Sequence, residues 1–215
     1  NELIDLGKKV KHYLPKIGSG YAEATVQQVL DMDVINNFDE NYDASYEHDT
    51  KVGAPVGYNR EEIALGWRLP PEGEQQFSSR EFAASLVSNN VVNTTGYTEY
   101  RSPNTDILGW IAETATGRSL IEFLIEIIEA TGIEGTYHIG LDCDGIPQFA
   151  GGACMTTRDM ARYGLLFARN GKGISGNNVG SAQFIQETRN GRGTKGTKSQ
   201  SYGYSNAMFT NGRWL

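Results

Sequence analysis

The sequence predicts an α-rich α+β fold, and three observations support this class. Helix-capping signals recur ahead of apolar positions along most of the chain. Asp144-Gly145, at the centre of residues 137–149, is a dipeptide typical of tight hairpin turns. Residues 202–209 have the composition of one further strand. Helical and strand signals do not alternate regularly, so a doubly wound parallel sheet is not expected.

The predicted elements fall into two stretches of the chain. Residues 20–135 are expected to be mostly helical, with an irregular segment at 36–59, and residues 136–215 to hold a hairpin, further helices and a returning strand. A helix start is marked by a short polar side chain that accepts a backbone N–H three positions later. The signals are Thr25-x-x-Gln28, Asn59-x-x-Glu62, Ser78-x-x-Glu81, Ser119-x-x-Glu122 and Thr156-x-x-Asp159.

Two of these helices have an apolar face at helical spacing. The helix that starts near Leu120 carries its glutamates on the opposite face, and the helix that starts near Arg158 is expected to end at Asn170-Gly171. The side chains expected to be buried are Leu120, Phe123, Leu124, Ile127 and Ile128 on the first helix and Met160, Tyr163 and Phe167 on the second, and the outward glutamates are Glu122, Glu126 and Glu129.

A polar loop led by Tyr100 runs directly into the helix with the best start signal. Ser102 is expected to cap this helix, and Pro103 fits its first turn, where a missing N–H is not needed. Apolar residues then recur at helical spacing until Thr116-Gly117 ends the run. A side chain just before such a start is anchored by the buried helix and can still face a cleft. Tyr100 is therefore a candidate for a rigidly held catalytic phenol.

Residues 36–59 form a polar segment without a clean period. The segment is rich in Asp and Asn and contains Tyr42. An irregular segment of this length inside a compact domain is usually either functional or disordered. Tyr42 is therefore interpreted either as part of a functional loop or as a tyrosine packed on the surface.

Composition and charge argue against several classes of function. A hydrophobic share of 39% is enough for a buried core, and a formal net charge of −7 argues against nucleic acid as a partner. No apolar stretch is long enough to span a membrane, so we expect a soluble protein without membrane insertion. The three histidines lack the paired spacing of a metal site. Cys143 and Cys154 are expected to be ordinary buried thiols, with a bridge between them as the less favoured alternative.

Three groups of residues carry a resemblance to a known family. They are Tyr100-x-Ser102-x-Asn104-Thr105-Asp106-x-Leu108-Gly109-Trp110, then Gly151-Gly152, and then Arg158-Asp159-x-Ala161-Arg162-x-Gly164. Together they resemble the serine β-lactamase-like hydrolases, most closely the branch of 6-aminohexanoate-dimer hydrolases and class VIII esterases. Weaker similarity extends over nearly the whole chain. The resemblance implies a β-lactamase/transpeptidase-like fold of the α+β class.

The resemblance also implies a mechanism and roles for individual residues. The enzyme would cleave an amide or ester bond of a small-molecule substrate through an acyl-enzyme, without a cofactor or metal, in the bacterial cytoplasm or periplasm. Tyr100 would transfer the proton, and it would need a nearby cation because a phenol with a pKa of about 10 is a poor base. Tyr42 would close over the substrate, and Ser102 would contact substrate or lysine as a second role. Gly151 and Gly152 would either form a tight turn or let the backbone approach the substrate.

The sequence departs from this family at the nucleophile. The family uses the serine of a Ser-x-x-Lys motif, in which one helical turn places the amine beneath the hydroxyl. No lysine here has Ser or Thr three positions earlier. The lysines are Lys8, Lys9, Lys11, Lys16, Lys51, Lys172, Lys195 and Lys198.

Two interpretations account for this departure. In the first, the chain is an internal piece of a longer hydrolase whose nucleophile lies outside it, so that the piece alone is inactive. Uncovered strand edges and apolar faces would then make the piece self-associate. In the second, the protein is a catalytically inactive relative that keeps the fold as a binding module.

Overall fold

Helices provide most of the regular structure in the computed structural model, which describes residues 3–45, 56–191, 193–196 and 202–211. Within these ranges, none of the helices has both the length and the apolar character needed to cross a membrane. The helices are α1 (Val10–Tyr13), α2 (Val26–Leu30), α3 (Tyr58–Ala64), α4 (Ser79–Ser85), α5 (Pro103–Thr116), α6 (Leu120–Thr131), α7 (Thr157–Ala168) and α8 (Ala182–Asn190). The strands are β1 (Phe38–Asp39), β2 (Val56–Gly57), β3 (Thr194–Lys195), β4 (Gly203–Ser205) and β5 (Met208–Thr210).

Helix α5 is the central helix of the core and packs against α1, α2, α4 and α6. Ile107 and Ile111 on its inner face are fully buried, and burial of each such side chain contributes about 1.5–3 kcal/mol. The helix ends at Gly117, which adopts a left-handed φ of 69°, as the sequence predicted. The start of α5, next to Tyr100, is thus fixed by a packed core. The other core residues are Val10, Leu14, Ile17, Tyr21, Ala24, Val26, Val29, Val34, Phe38, Ala64, Phe82, Ala83, Leu86 and Val91.

Four of the five predicted capping signals are confirmed. Reciprocal capping boxes open α2, α4 and α6, at Thr25, Ser78 and Ser119, and the Thr156 side chain accepts the Asp159 N–H at the start of α7. Each cap of this kind typically contributes about 1 kcal/mol because it satisfies an otherwise unpaired backbone donor.

The fifth predicted capping signal, at Asn59, is wrong. Helix α3 begins one residue earlier, at Tyr58, and Gly57 at the end of β2 occupies the N-cap position. Asn59 is instead a buried residue of the first turn, and its Nδ2 donates to the carbonyl of Ala44 at 3.0 Å. A tertiary contact to the preceding segment therefore takes the side chain that the local pattern assigned to capping.

Two short strands bound the segment that was predicted to be irregular. β1 and β2 pair in parallel, with Phe38 opposite Val56, and the middle of the predicted segment, residues 46–55, lies outside the described residues. β1 is also tied to the core, because the Phe38 side chain is buried there.

The predicted single strand at residues 202–209 is wrong, because the structure has a hairpin there. β4 and β5 are antiparallel, with Tyr204 opposite Phe209, and β3 pairs with the other edge of β4. Asn206 and Ala207 form the turn with positive φ values of 50° and 64°. The turn is held from outside the hairpin, since Asn206 N–H donates to an Asp31 carboxylate oxygen at 2.9 Å and Ala207 N–H to the Leu30 carbonyl.

The apolar faces of α6 and α7 are less buried than predicted. An apolar cleft of about 310 Å³ opens between these helices and the chain around residues 137–155. The side chains around this cleft are therefore covered on one side only, and Met160, which was expected to be buried, is 54% exposed, whereas Leu166 is buried. The outward position of the three glutamates, Glu122, Glu126 and Glu129, is confirmed. The remaining apolar side chains of the two faces are half-buried, namely Phe123, Leu124, Ile127, Ile128, Tyr163 and Phe167.

The predicted hairpin turn at Asp144-Gly145 is present, although its arms form only isolated bridges. Gly145 N–H donates to the Asp142 carbonyl at 3.0 Å, and Gly145 has a positive φ of 77°. The prediction that Cys143 and Cys154 are buried is wrong. Both are exposed free thiols, because Cys143 lies in the turn itself and Cys154 in an isolated bridge with the chain at His138.

Candidate active site

Tyr100 lies immediately before α5 and is held by contacts on both sides of its backbone. The N–H of Glu99 donates to the Met32 carbonyl at 2.9 Å, and the N–H of Arg101 donates to the Met32 sulfur. The phenol ring stacks on Phe209 and meets Tyr204 edge to face, with ring centroids 6.5 and 6.2 Å apart. The Tyr100 residue is still 40% exposed. This combination of a fixed backbone and an accessible phenol is what the sequence predicted for a catalytic side chain.

Arg101 does not direct its charge at the neighbouring phenol. Its side chain is buried, and its guanidinium donates from Nε to the Val34 carbonyl at 3.1 Å and from Nη1 to the Phe38 carbonyl. Arg101 therefore ties the chain on either side of Asn36 to the start of α5. Its contacts are structural and fix the loop that carries Tyr100.

The prediction that Ser102 caps α5 with its side chain is wrong. Ser102 has helical backbone angles, φ −52° and ψ −41°, whereas a capping serine needs an extended backbone to reach the third N–H of the helix. Its hydroxyl donates instead to Oε1 of Glu40, and its backbone N–H donates to Oε2 of Glu40 at 2.7 Å. The acceptor at this helix start is thus supplied by Glu40, which lies 62 residues earlier in the sequence.

Glu40 also contacts Tyr42, so its carboxylate joins two predicted site residues, Ser102 and Tyr42. The Tyr42 hydroxyl donates to Glu40 Oε1 at 2.7 Å, and the Tyr42 ring lies edge to face against Tyr58 at 4.6 Å. Tyr42 is 62% exposed. Sequence reasoning missed Glu40, because no spacing rule connects positions 40 and 102.

The environment of these tyrosines favours the protonated phenol. Burial raises the pKa of Tyr100, the negative charges of Glu40 and Glu61 raise it further, and the Ser102 side chain lowers it. Burial, followed by the hydrogen bond to Glu40, raises the pKa of Tyr42, and burial raises the pKa of Tyr58 to about 12. At neutral pH these phenols are therefore proton donors in the described structure.

Glu61 of α3 is a second acidic residue near the site that sequence reasoning missed. It is 1% exposed, and its carboxyl oxygens have no hydrogen-bond partner among the residues that the structure describes. Burial raises the pKa of Glu61 well above its usual value, and the nearby carboxylates of Glu40, Asp106 and Glu62 act in the same direction. Its neutral form is favoured for the same reason that an unpaired charge is costly to bury.

Gly151 and Gly152 lie against Trp67. A Cβ added at Gly152 would lie 3.1 Å from the Trp67 ring, and Gly152 has a positive φ of 80°, so the backbone requires glycine there. The loop is tethered to α5, because the N–H of Ala150 donates to an Asp106 carboxylate oxygen at 3.2 Å. The contact with Trp67 and the positive φ thus explain why glycine stands in this turn. A contact of Gly151 and Gly152 with substrate stays a prediction.

The described part of the site offers phenol, hydroxyl and carboxyl groups. Within the described part of the chain, His, Cys, Asp and Glu side chains do not gather in a group of three that could hold a metal ion. The sequence contains no serine with a lysine one turn later. The structure places Ser102, Glu40 and Tyr42 in hydrogen-bond contact next to Tyr100, and a catalytic role for Tyr100 stays a prediction.

Comparison with known proteins decides the family. The model of the Beta-lactamase family matches residues 1–212. The chain belongs to the beta-lactamase family. This membership confirms the predicted resemblance and, together with the observed helices and antiparallel sheet, the predicted α+β class.

Individual relatives agree with the predicted branch. The chain is 31% identical over 170 residues to the 6-aminohexanoate-dimer hydrolase of Paenarthrobacter ureafaciens, covering 78% of this chain and 40% of that protein. The structure named "Putative 6-aminohexanoate-dimer hydrolase from Bacillus anthracis" has a TM-score of 0.73 and 24% identity over 96% of this chain and 52% of that one.

A further solved structure shares the fold. The "putative beta-lactamase from Bacteroides dorei DSM 17855" has a TM-score of 0.56 and 19% identity, and covers 92% of this chain and 53% of that one. The chain therefore spans about half the length, or less, of these three relatives.

Proposed function

We propose that this chain is the central part of a serine hydrolase that cleaves amide or ester bonds through an acyl-enzyme, with the nucleophile supplied from outside these 215 residues. The observation that carries the proposal is the placement of Tyr100. A family-matching phenol is held by backbone contacts before a core helix, yet its side chain remains 40% exposed.

In the proposed reaction, a serine hydroxyl attacks the substrate carbonyl, and the carbon–nitrogen or carbon–oxygen bond of the leaving group breaks. Water then hydrolyses the acyl-enzyme, so one difficult step becomes two easier ones. Tyr100 carries the proton from the attacking hydroxyl to the leaving group. Its raised pKa suits the donating half of this task, and the accepting half requires a cation close to the phenol oxygen. The lysine of a Ser-x-x-Lys motif would supply that charge.

The substrate would lie beside Tyr100, with the exposed Tyr42 closing over it. The Tyr42 hydroxyl donates to Glu40, and both Glu40 and Ser102 shift the pKa of Tyr100, which supports a common site. The names of the relatives suggest an amide between 6-aminohexanoate units as the first substrate to test. In this proposal, Gly151 and Gly152 bring the backbone close to another part of the substrate.

A catalytically inactive binding module is the second candidate function. It is favoured by the absence of Ser-x-x-Lys from the sequence and by the raised pKa of Tyr100, which leaves the phenol a poor base. In that case the site would bind a small amide or ester without cleaving it.

One experiment separates the two functions. The full-length protein is incubated with a nitrophenyl ester and with the 6-aminohexanoate dimer, and the quenched reaction is examined by mass spectrometry for an acyl adduct on serine. Turnover with an acylated serine supports the hydrolase. Binding of the dimer in calorimetry without turnover or adduct supports the binding module. Turnover by the 215-residue chain alone would contradict the proposal that the nucleophile lies outside it.

A further inference from the structure

We propose that Glu40 is a positioning residue that joins the Tyr42 loop to the start of α5 through one carboxylate shared by three donors. This inference rests on the proposed function. Oε2 accepts the backbone N–H of Ser102 at 2.7 Å, and Oε1 accepts both the Ser102 hydroxyl and the Tyr42 hydroxyl, the latter at 2.7 Å. The two segments that carry the candidate catalytic and substrate-closing tyrosines are therefore linked by a single side chain.

A carboxylate is well suited to this position. Two hydroxyls and one N–H converge on it, and an ionised carboxylate accepts on both oxygens without bringing a donor of its own. Hydrogen bonds to a charged acceptor are stronger than those between neutral groups, and the positive end of the helix dipole adds to them at the start of α5. The carboxylate also accepts the Ser102 N–H, one of the backbone donors at this helix start that the helix itself does not satisfy.

A second contact fixes the same two segments from the other direction. Arg101, in the loop before α5, donates to the carbonyls of Val34 and Phe38, which lie six and two residues before Glu40. Arg101 thus holds the β1 segment through its guanidinium. The adjacent Ser102 holds the same segment through the Glu40 carboxylate. Because Arg101 and Ser102 directly follow Tyr100, these contacts fix the backbone on the helix side of Tyr100.

Glu40 also sets the charge felt by the phenol. The groups that shift the pKa of Tyr100 are Glu40 and Glu61, which raise it, and Ser102, which lowers it. The Tyr204 ring packs against the same phenol. Removal of the Glu40 charge should therefore lower the pKa of Tyr100, whereas a change that keeps the charge should not.

Two variants separate the position of Glu40 from its charge. Glu40→Gln removes the charge and replaces one acceptor by a donor, and Glu40→Asp keeps the charge on a side chain that is one methylene shorter. Asp39→Asn is the matched control, because it removes one charge from the exposed neighbouring position. In the full-length protein we expect kcat/KM for the ester to fall about 10- to 100-fold in both Glu40 variants, since small displacements of catalytic groups have effects of this size. Asp39→Asn should leave kcat/KM unchanged.

The pH profile adds a result that a merely structural role would not produce. The limb of the pH profile that reports the pKa of Tyr100 should move to lower pH in Glu40→Gln and stay in place in Glu40→Asp. In a double-mutant cycle, Tyr42→Phe should add little to Glu40→Gln, because both changes disrupt the same shared carboxylate. Multiplicative effects of the two changes, or full activity in Glu40→Asp, would overturn the proposal.

Hydrogen exchange tests the link even if the protein proves inactive. The Ser102 amide donates to Glu40, so its exchange should accelerate about 10-fold or more in Glu40→Gln, as expected when a local contact is opened, and stay unchanged in Asp39→Asn. Unchanged Ser102 exchange in Glu40→Gln overturns the positioning role whatever the activity. Accelerated exchange in a protein without turnover supports the link while refuting the hydrolase. Tyr42→Phe, which leaves the Ser102 contacts intact, provides the measurement if Glu40→Gln does not fold: accelerated exchange of the Tyr42 segment supports the link, and unchanged exchange refutes it.

Discussion

Replacement of Tyr100 by Phe in the full-length protein should separate chemistry from packing. The ring remains, so its stacking on Phe209 and its edge contact with Tyr204 are retained. Only the hydroxyl is lost, and removal of one hydrogen-bonding group typically costs about 0.5–1.5 kcal/mol of stability. A proton-transfer group typically contributes about 10²–10⁴-fold to the rate, which corresponds to roughly 3–5 kcal/mol of barrier. We therefore expect kcat to fall by this factor while the thermal midpoint changes by only a few degrees.

The matched control is Tyr97→Phe, three residues earlier in the same loop. Tyr97 forms a backbone bridge with Lys195 and does not stand at the start of α5. Initial rates with a nitrophenyl ester, together with a circular dichroism melt, measure both quantities for each variant. Loss of activity in Tyr97→Phe with full activity in Tyr100→Phe would show that the motif has been assigned to the wrong tyrosine. If the loss of activity in Tyr100→Phe is no larger than its loss of stability explains, the role of Tyr100 is packing alone.

Three further predictions concern the 215-residue chain itself. Ile111→Ala should lower the free energy of unfolding by about 2–5 kcal/mol because it leaves a cavity under α5. The control, Ile125→Ala at a half-exposed position of α6, should lower it by less than about 1 kcal/mol. Denaturant titration measures both values. The hydrogen bonds of Asp159 with Thr156 and Glu134 lower its pKa to about 2. Its stabilising contribution should therefore be complete above about pH 4 and disappear as the pH falls towards 2. In an acid titration, the Asp159→Asn variant should not show this loss of stability. The chain should self-associate at micromolar concentration through the exposed apolar side of α6, and Ile125→Glu should shift it towards monomer in sedimentation velocity; a monomeric wild type would refute this.

Local signals in the sequence predicted the helices because the residues that decide a helix end are close together. Thr25 with Gln28, Ser78 with Glu81, and Ser119 with Glu122 each satisfy the backbone within three residues. The end of α5 needs only the left-handed Gly117. Elements of this kind can be read from the sequence, since their energetics do not depend on the rest of the fold.

Features set by distant contacts could not be predicted in this way. The turn at Asn206 depends on Asp31, 175 residues earlier, so its two flanking strands looked like one. Ser102 carries an ordinary capping signal, but Glu40 satisfies the helix start in its place. The burial of side chains on α6 and α7 was overestimated because an apolar face shows which side of a helix favours burial, but not whether another element packs against it.

The residues that carry the family resemblance divide into two groups once their contacts are known. Asn104 is buried and bonds to the Tyr21 hydroxyl and the Val29 carbonyl, and the Asp159 carboxylate accepts N–H groups of Glu134 and Gly135 beside α7. These contacts satisfy polar groups inside the fold, and this packing role does not depend on catalysis. Tyr100 differs, since it is partly exposed and its ring packing would be served equally by phenylalanine. The hydroxyl of Tyr100 is therefore the feature of the motif that packing does not explain, and its part in proton transfer is the prediction to test.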